Sequence, residues 1–338
     1  MTDPRPRTAL ELVYRIQELA DYIVPFAIRM TCELRVADLL TDGPRPVAQL
    51  AAATGTHPPT LCRVLRTLAT KEIFVEVEPE VFGLTPAAQL FRGDHPLSLR
   101  DAYPMIPANF EAWAHFAHTV RTGEPVFPHV HGVPYYEHLA THPDDSARFD
   151  GIQGAGSRLE LRATLRAYEW GRLASVVDVG GSNGAFLAGL LARYRRLRGV
   201  LFELPHVAKG AEAVLAAAGV ADRCEVVAGD FFAGVPAGHD AYVLKRVLYD
   251  WDDADAGRLL RSVREAVRPD SRLLVLDPVV DPRPELAISK TYDLLSLTML
   301  GGRARTEDEV VALCGEAGFA VTRVVQTAMF PLIEAAPR

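Results

Sequence analysis

Apolar positions recur at two different periods along this chain, and the change of period divides it. From about Thr8 to Leu99 the spacing is mostly helical. Leu10, Val13, Ile16, Leu19 and Ile23 trace one face. Pro25 is followed by Phe26, Ile28, Met30, Leu34, Val36, Leu39 and Leu40, which predict a second, very apolar helix. A helix with so little polar face belongs in a core or at a subunit interface. Pro46–Ala53 predicts a short helix, Thr54–Pro59 a turn, and Thr60–Ala69 a further helix with Leu61, Val64, Leu65 and Leu68 inward. Ile73–Val77 and Val81–Thr85 then alternate as two strands. Helix, turn, helix and hairpin make a winged-helix pattern.

Tyr103 to Tyr168 is rich in aromatic residues (Phe110, Trp113, Phe116, Phe127, Tyr135, Tyr136, Phe149) and in histidine. The segment is either a helical connector with aromatic core residues or one wall of an apolar pocket. His129-x-His131 is not a metal site by its spacing, and no metal is expected. From Ser175 onward strands and helices alternate. Candidate strands are Ser175–Val179, Gly199–Glu203, Cys224–Ala228, Asp240–Leu244, Arg272–Asp277, Ala320–Val325 and Met329–Glu334. That alternation predicts an α/β fold with a doubly wound, mostly parallel, seven-stranded sheet of Rossmann-like type. The last two strands are too close in sequence for a crossover, so one of them should run antiparallel at the sheet edge. The expected divisions are 1–100 (helical, winged-helix), 101–168 (connector) and 169–338 (sheet domain).

Composition narrows the partners. The chain has 338 residues, a net charge of −7 and an ordinary 49% of apolar residues. The acidic balance argues against nucleic acid as the main partner, because backbone binding needs clustered positive charge. Arg63, Arg66 and Lys71 are all that the second helix of the winged-helix pattern offers. Cys32, Cys62, Cys224 and Cys314 are widely separated and read as reduced thiols. No apolar run reaches membrane-spanning length and no secretory core follows Met1, so a cytoplasmic protein without a membrane partner is expected.

The chemistry gathers at successive strand ends. Val176-Val177-Asp178-Val179-Gly180-Gly181-Ser182-Asn183-Gly184 is an apolar strand closing in an acid and a glycine-rich turn, followed by an apolar helix. Open α/β sheets hold ligands at such turns, and glycine lets a ligand approach the backbone. Alone, the turn suits a dinucleotide or S-adenosylmethionine equally. The next strand ends in Glu203, placed to accept hydrogen bonds from ribose hydroxyls. The third ends in Gly229-Asp230-Phe231-Phe232, an acid and an aromatic ring suited to an adenine. The fourth ends in Leu244-Lys245-Arg246-Val247-Leu248-Tyr249-Asp250-Trp251-Asp252-Asp253.

With these motifs, Arg121-Thr122-Gly123-Glu124-Pro125 and Gly301-Gly302-Arg303-Ala304-Arg305-Thr306, the chain from about Ala20 onward resembles the small-molecule S-adenosylmethionine-dependent O-methyltransferases of bacterial natural-product and plant phenolic metabolism. The resemblance implies a class I methyltransferase half behind a winged-helix dimerisation half. It implies a homodimer that completes each active site, and S-adenosylmethionine as cofactor with S-adenosylhomocysteine as product. It places the cofactor on Asp178, Gly180, Gly181, Gly184, Glu203, Gly229, Asp230 and Phe231, with Lys245 and Trp251 close by. Lys290–Leu300 would be a helix against the acceptor, with Tyr292, Leu295 and Met299 on one face and Trp113 and Phe116 opposite. Such a slot prefers a planar aromatic or polyketide-like acceptor. Arg303 and Arg305 read as surface groups or as contacts to an acceptor carboxylate. Ser182 stands where glycine is common and reads as tolerated because serine is small.

The candidate catalytic residues are Tyr249, Asp250 and Asp277, and the departures from the family fall at Tyr249, Asp277 and Ala304. Where such enzymes carry a histidine base, this chain has Tyr249. The two glutamates that hold that base correspond to Asp277 and Ala304. A tyrosine titrates near 10 and is a proton donor at neutral pH. Three readings stay open: methyl transfer by proximity and orientation, with O-methylation foremost; another reaction, such as hydroxylation, decarboxylation or cyclisation, on the same cofactor-binding fold; and a winged-helix DNA-binding regulator.

Overall fold

A computed structural model of the chain describes residues 8–281 and 287–338. The described residues fall into two compact units, divided between Met105 and Ile106.

The first unit begins with α1 (Ala9–Ala20), which Thr8 and Glu11 cap reciprocally. It continues with α2 (Ile23–Glu33) and α3 (Val36–Leu39). The apolar run from Phe26 to Leu40 is therefore two helices, not one. Arg35 adopts the left-handed conformation (φ 53°) and turns the chain between them. β1 (Arg45–Pro46), α4 (Val47–Thr54), α5 (Pro58–Ala69), β2 (Phe74–Glu78) and β3 (Val81–Leu84) complete the unit. β1 pairs with β3 and adds a third strand to the hairpin. Leu50, Leu61, Leu65, Leu68, Phe74 and Phe82 fill its core. None of the residues of α1 is buried: Leu10, Val13, Ile16 and Leu19 are all exposed, Leu19 to 74%.

The second unit opens with five helices, α6 (Pro107–Ala114), α7 (Ala117–Thr122), α8 (Val126–His131), α9 (Tyr135–Thr141) and the 25-residue α10 (Pro143–Ala167). Strands and helices then alternate: β4 (Ser175–Val179), α11 (Ala185–Arg193), β5 (Arg198–Glu203), α12 (Pro205–Ala217), β6 (Cys224–Ala228), β7 (Ala241–Lys245), α13 (Asp253–Ala266), β8 (Arg272–Leu276), α14 (Ala287–Leu300), α15 (Glu307–Glu316), β9 (Phe319–Val325) and β10 (Leu332–Pro337). They form one sheet in the order β6-β5-β4-β7-β8-β10-β9. β4 through β8 run parallel, and the order reverses between β4 and β7. A separate apolar core covers each face of the sheet.

The antiparallel strand does not lie at the sheet edge, as its short connection suggested. β10 pairs antiparallel with both β8 and β9, so it fills the penultimate place and β9 is the edge. A hairpin fixes relative direction but not which strand reaches the sheet. Packing decides: Leu332 and Ile333 of β10 are buried, whereas Thr322 and Arg323 of β9 are exposed. The four cysteines are free thiols, three of them buried. Burial pushes the Cys32 and Cys314 thiols up to about 12, which keeps both protonated. Among the described residues no helix is long and apolar enough to cross a membrane.

Candidate functional site

The switch between β4 and β7 sets the site. The glycine turn leaves β4 there, with Gly180 (φ 70°) and Gly184 (φ 76°) in the left-handed region. Ser182 is left-handed too (φ 54°), so size is not the issue at that position: a side chain there sits on a backbone that costs about 1–2 kcal/mol without glycine. The Ser182 N–H donates to Glu203 Oε2 (2.9 Å), and the Leu204 N–H donates to Glu203 Oε1 (2.7 Å). Both β5 and the turn thereby orient one carboxylate. Burial raises the Glu203 pKa above the ordinary carboxylate range, against the pull of those two N–H groups.

A cleft with about 1070 Å³ of atom-free space, open solvent included, lies over these strand ends. Gly180, Ser182 and Glu203 line it, as do Asp230, Phe231, Phe232, Lys245, Val247, Asp250 and Trp251. Phe231, Phe232 and Trp251 form an edge-to-face cluster with ring centroids 4.8–6.0 Å apart. The Phe232 N–H donates to Asp230 Oδ1 (2.8 Å) and fixes that turn. Asp178 lies beneath the glycine turn. Both its oxygens are buried without a hydrogen-bond partner among the described residues, and burial raises its pKa to about 6. Gly181 has no room for a side chain, because a Cβ there would meet Leu201 and Asp178. The orphaned oxygens of Asp178 beneath the turn, the acids Glu203 and Asp230 at the cleft and the aromatic cluster fit an adenosyl sulfonium, a cationic ligand with one flat ring.

Residues of α9 and α10 close the cleft, and the sequence pattern did not assign them: Tyr136, Phe149, Asp150 and Gln153, with His206 of α12 and Arg246. Tyr136 and Phe149 belong to the aromatic stretch read as a candidate pocket wall. Nothing in the polar pattern of α10 marked Asp150. Its Oδ1 accepts from Ser182 Oγ (3.4 Å) and its carbonyl from Asn183 Nδ2 (3.2 Å), so α10 rests on the glycine turn. Deeper along α10, Glu160 pairs with Arg246 Nε (2.8 Å) and Lys245 Nζ (3.3 Å), and all three are buried. Burial disfavours the Glu160 charge, but Arg246 and then Lys245 outweigh it and hold its pKa below the ordinary value. Arg246 also carries a left-handed backbone (φ 55°).

The positions aligned with catalysis part company. Asp277 does not hold the Tyr249 hydroxyl. Its carboxylate accepts the backbone N–H groups of Val247 and Tyr249 (both 3.1 Å) and so fixes the loop after β7. Burial raises its pKa to about 6. Tyr249 is buried against Tyr292 (6.2 Å between centroids), and burial followed by the neighbouring Asp250 pushes its phenol well above 10. Asp250 faces the cleft, and its Oδ2 accepts from the Tyr136 hydroxyl (2.6 Å). Gly302 is required by close approach, since a Cβ there would fall inside the backbone of Tyr249 and Asp250. Arg305 is neither a surface group nor aimed at a ligand. It is buried, pairs with Asp253 (2.8 Å) and donates to the Leu248 and Trp251 carbonyls (both 3.0 Å). Arg303 reaches Asp253 and Glu309.

None of the five expected acceptor-wall residues lines the cleft. Met299 is buried in a core with Ala112, Val126, Phe127, Tyr135 and Leu139, and Trp113 packs against that core and against Phe116. Tyr292 lies between Tyr249 and Phe330, and Leu295 is exposed. Among the described residues no cluster of metal-ligating side chains occurs.

Comparison with known proteins gives the family and the same fold. Residues 113–320 match the O-methyltransferase domain, and residues 17–94 match the O-methyltransferase dimerisation domain. A phenazine O-methyltransferase of Lysobacter antibioticus is 39% identical over 324 residues, 95% of each chain. An aclacinomycin 10-hydroxylase of Streptomyces purpurascens is 36% identical over 326 residues, 94% of this chain and 87% of its own. An O-methyltransferase of neocarzinostatin biosynthesis, crystallised with S-adenosylmethionine and 2-hydroxy-5-methyl naphthoic acid, superposes with a TM-score of 0.79 at 33% identity and covers 96% of this chain and 98% of that one.

Proposed function

This chain belongs to the S-adenosylmethionine-dependent O-methyltransferase family of natural-product biosynthesis, and from that premise we propose that it methylates a hydroxyl of a planar aromatic or polyketide-like molecule. The observation that carries the reading is the cleft over the β4–β7 switch, where acids, glycines and an aromatic cluster from four successive strand ends converge. Glu203 would hold the ribose, Asp230 and Phe231 the adenine, and the backbone from Gly180 to Gly184 the rest, with Lys245 and Trp251 alongside. The cofactor supplies a methyl group on a sulfonium, already activated for transfer. The protein then has to bind, orient and desolvate the acceptor, and well-oriented reactants need little more. Tyr249 takes no proton in this reading, because its buried phenol stays protonated. Its side chain is not among the residues lining the cleft but packs against Tyr292, and its backbone N–H, held by Asp277, is a fixed point for the loop.

The exposed apolar face of α1 supports a homodimer as the working form. Leu10, Val13, Ile16 and Leu19 present four large apolar side chains on one surface, which a second copy would cover. No nucleic acid is needed to account for the chain. Light scattering at micromolar concentration tests the assembly, and a monomer mass sinks it.

A second reading is favoured by one relative's name, the aclacinomycin 10-hydroxylase, together with the tyrosine at position 249. There the cofactor binds but donates no methyl. Transfer of isotope-labelled methyl from S-adenosylmethionine to a hydroxynaphthoate probe decides between them. Label in the product supports methyl transfer. Calorimetric binding of the cofactor with an unlabelled, oxygenated product refutes it.

A further inference from the structure

With Tyr249 a permanent donor and Ala304 without a carboxylate, a neutral hydroxyl bound in the cleft still needs somewhere to send its proton. Of the titratable groups that line the cleft, Asp250 adjoins Tyr249 in the loop after β7. Asp250 lines the cleft and is 8% exposed. Its two oxygens differ: Oδ2 accepts from the Tyr136 hydroxyl at 2.6 Å, and Oδ1 is buried with no hydrogen-bond partner among the described residues. We propose that Asp250, held by Tyr136, is the group that removes the proton from the acceptor hydroxyl; this rests on the methyl-transfer reading above.

The step balances simply. The acceptor O–H bond breaks, an O–H bond forms at the Asp250 carboxylate, and the electron pair stays on the acceptor oxygen, which becomes the nucleophile. The proton leaves to solvent after product release. Tyr136 keeps its own proton throughout, since burial and the neighbouring carboxylate push its phenol well above 10. Its role is positioning. By bonding Oδ2 it fixes the carboxyl plane, while Oδ1 carries no competing hydrogen bond among the described residues.

The groups around Asp250 set its basicity. Burial raises its pKa, the Tyr136 hydrogen bond opposes that, Asp277 of the β8 end adds repulsion, and Arg246 and Lys245 at the β7 end pull it down, with a balance at about 7. Glu160 of α10 already pairs with those two cations. On the α14 side, Tyr292 packs on Tyr249, the Ser296 hydroxyl donates to the Tyr249 carbonyl and Asp293 accepts the Ala304 N–H. The Arg305 cation is paired with Asp253. A carboxylate that titrates near the working pH is the most effective base.

The test uses the full chain and two variants, Asp250→Asn and Tyr136→Phe, each checked by circular dichroism for folding. Infrared difference titration without added ligand should show a carboxyl band converting near pH 7, above those of Asp178 and Asp277 near 6. The band should vanish in Asp250→Asn and convert at higher pH in Tyr136→Phe, where the hydrogen bond to the charged form is gone. With 1-naphthol as the probe acceptor, kcat should fall about hundredfold or more in Asp250→Asn, with cofactor binding by calorimetry unchanged. The acidic limb of the Tyr136→Phe rate profile should move to higher pH. Absence of the band, or an Asp250→Asn kcat within threefold of the parent, overturns the assignment. If the parent binds no cofactor, the reading beneath it fails; if it binds cofactor and turns over while Asp250→Asn keeps its kcat, only the proton assignment fails.

Discussion

Glu160→Gln is the sharpest test of how the site is held together. The carboxylate is buried on α10 and is the ion-pair partner of both Arg246 (2.8 Å) and Lys245 (3.3 Å), which are buried as well. The amide keeps the shape and removes the charge, leaving two cations in a low-dielectric interior with no counter-ion between them. Breaking a buried pair from one side costs about 3–5 kcal/mol, because the desolvation of the partner is no longer offset. For a unit of this size that corresponds to a Tm lowered by roughly 6–20 °C. The effect has a pH signature. The folded-state pKa of Glu160 lies below its ordinary 4.5. Its contribution is therefore complete above that ordinary value and is lost as pH falls through the folded pKa, so parent and variant should converge only in acid. Cofactor affinity should drop too, since Lys245 and Arg246 both line the cleft. Thermal melts from pH 7 down to pH 3 measure this directly. A variant within 1 kcal/mol of the parent at pH 7 would refute the idea that this triad anchors α10 to the β7 end.

Ser182→Gly should stabilise the chain by about 1 kcal/mol in urea titration, because the left-handed φ of 54° is relieved and the serine hydroxyl gives up only a long hydrogen bond to Asp150; destabilisation would mean that this bond outweighs the strain. Tyr249→Phe should retain kcat within a few-fold, and a hundredfold fall, about 2.7 kcal/mol of transition-state stabilisation, would restore the hydroxyl as a required group. Gly302→Ala should abolish cofactor binding by calorimetry while leaving the first unit folded, since a Cβ there displaces the backbone that carries Asp250 and Trp251; unchanged affinity would show that this close approach is dispensable. Leu19→Glu should turn a dimer into monomers by light scattering, and an unaltered mass would place the interface elsewhere.

The sheet was legible because its signals are local. Each of the seven strands is a short apolar run bounded by turn residues, and the observed limits differ from the expected ones by three residues at most. The glycine turn and the acids Asp178, Glu203 and Asp230 were legible for the same reason: a strand end names its own neighbours. What the sequence hid depends on contacts between distant segments. Tyr136 meets Asp250 across 114 positions, and Asp150 meets Ser182 across 32. The aromatic spacing flagged Tyr136 but could not say which wall it joins. Periodicity put Tyr292, Leu295 and Met299 on one helical face, yet three- and four-residue spacing cannot distinguish a face turned to a core from one turned to a ligand. Met299 proves to be core. Arg305 misled because buried arginines are uncommon, and its partners are Asp253, 52 positions away, and backbone carbonyls that carry no sequence signature.

The changes at the catalytic positions make physical sense as a set. A buried histidine that cycles through a charged form needs carboxylates to orient it and to balance that charge. A buried tyrosine that stays neutral needs neither. A carboxylate at position 304 would then be a charge in a nearly closed site (Ala304 is buried) that no histidinium needs, which is costly. Alanine removes that cost. Asp277 survives as a carboxylate because its partners are backbone N–H groups, which do not depend on the residue at 249. The loop geometry is thus preserved while the base that it normally presents is absent. Where proton removal is still required, it must pass to a group that kept both its charge and its access to the cleft, and among the residues of this loop Asp250 satisfies both conditions.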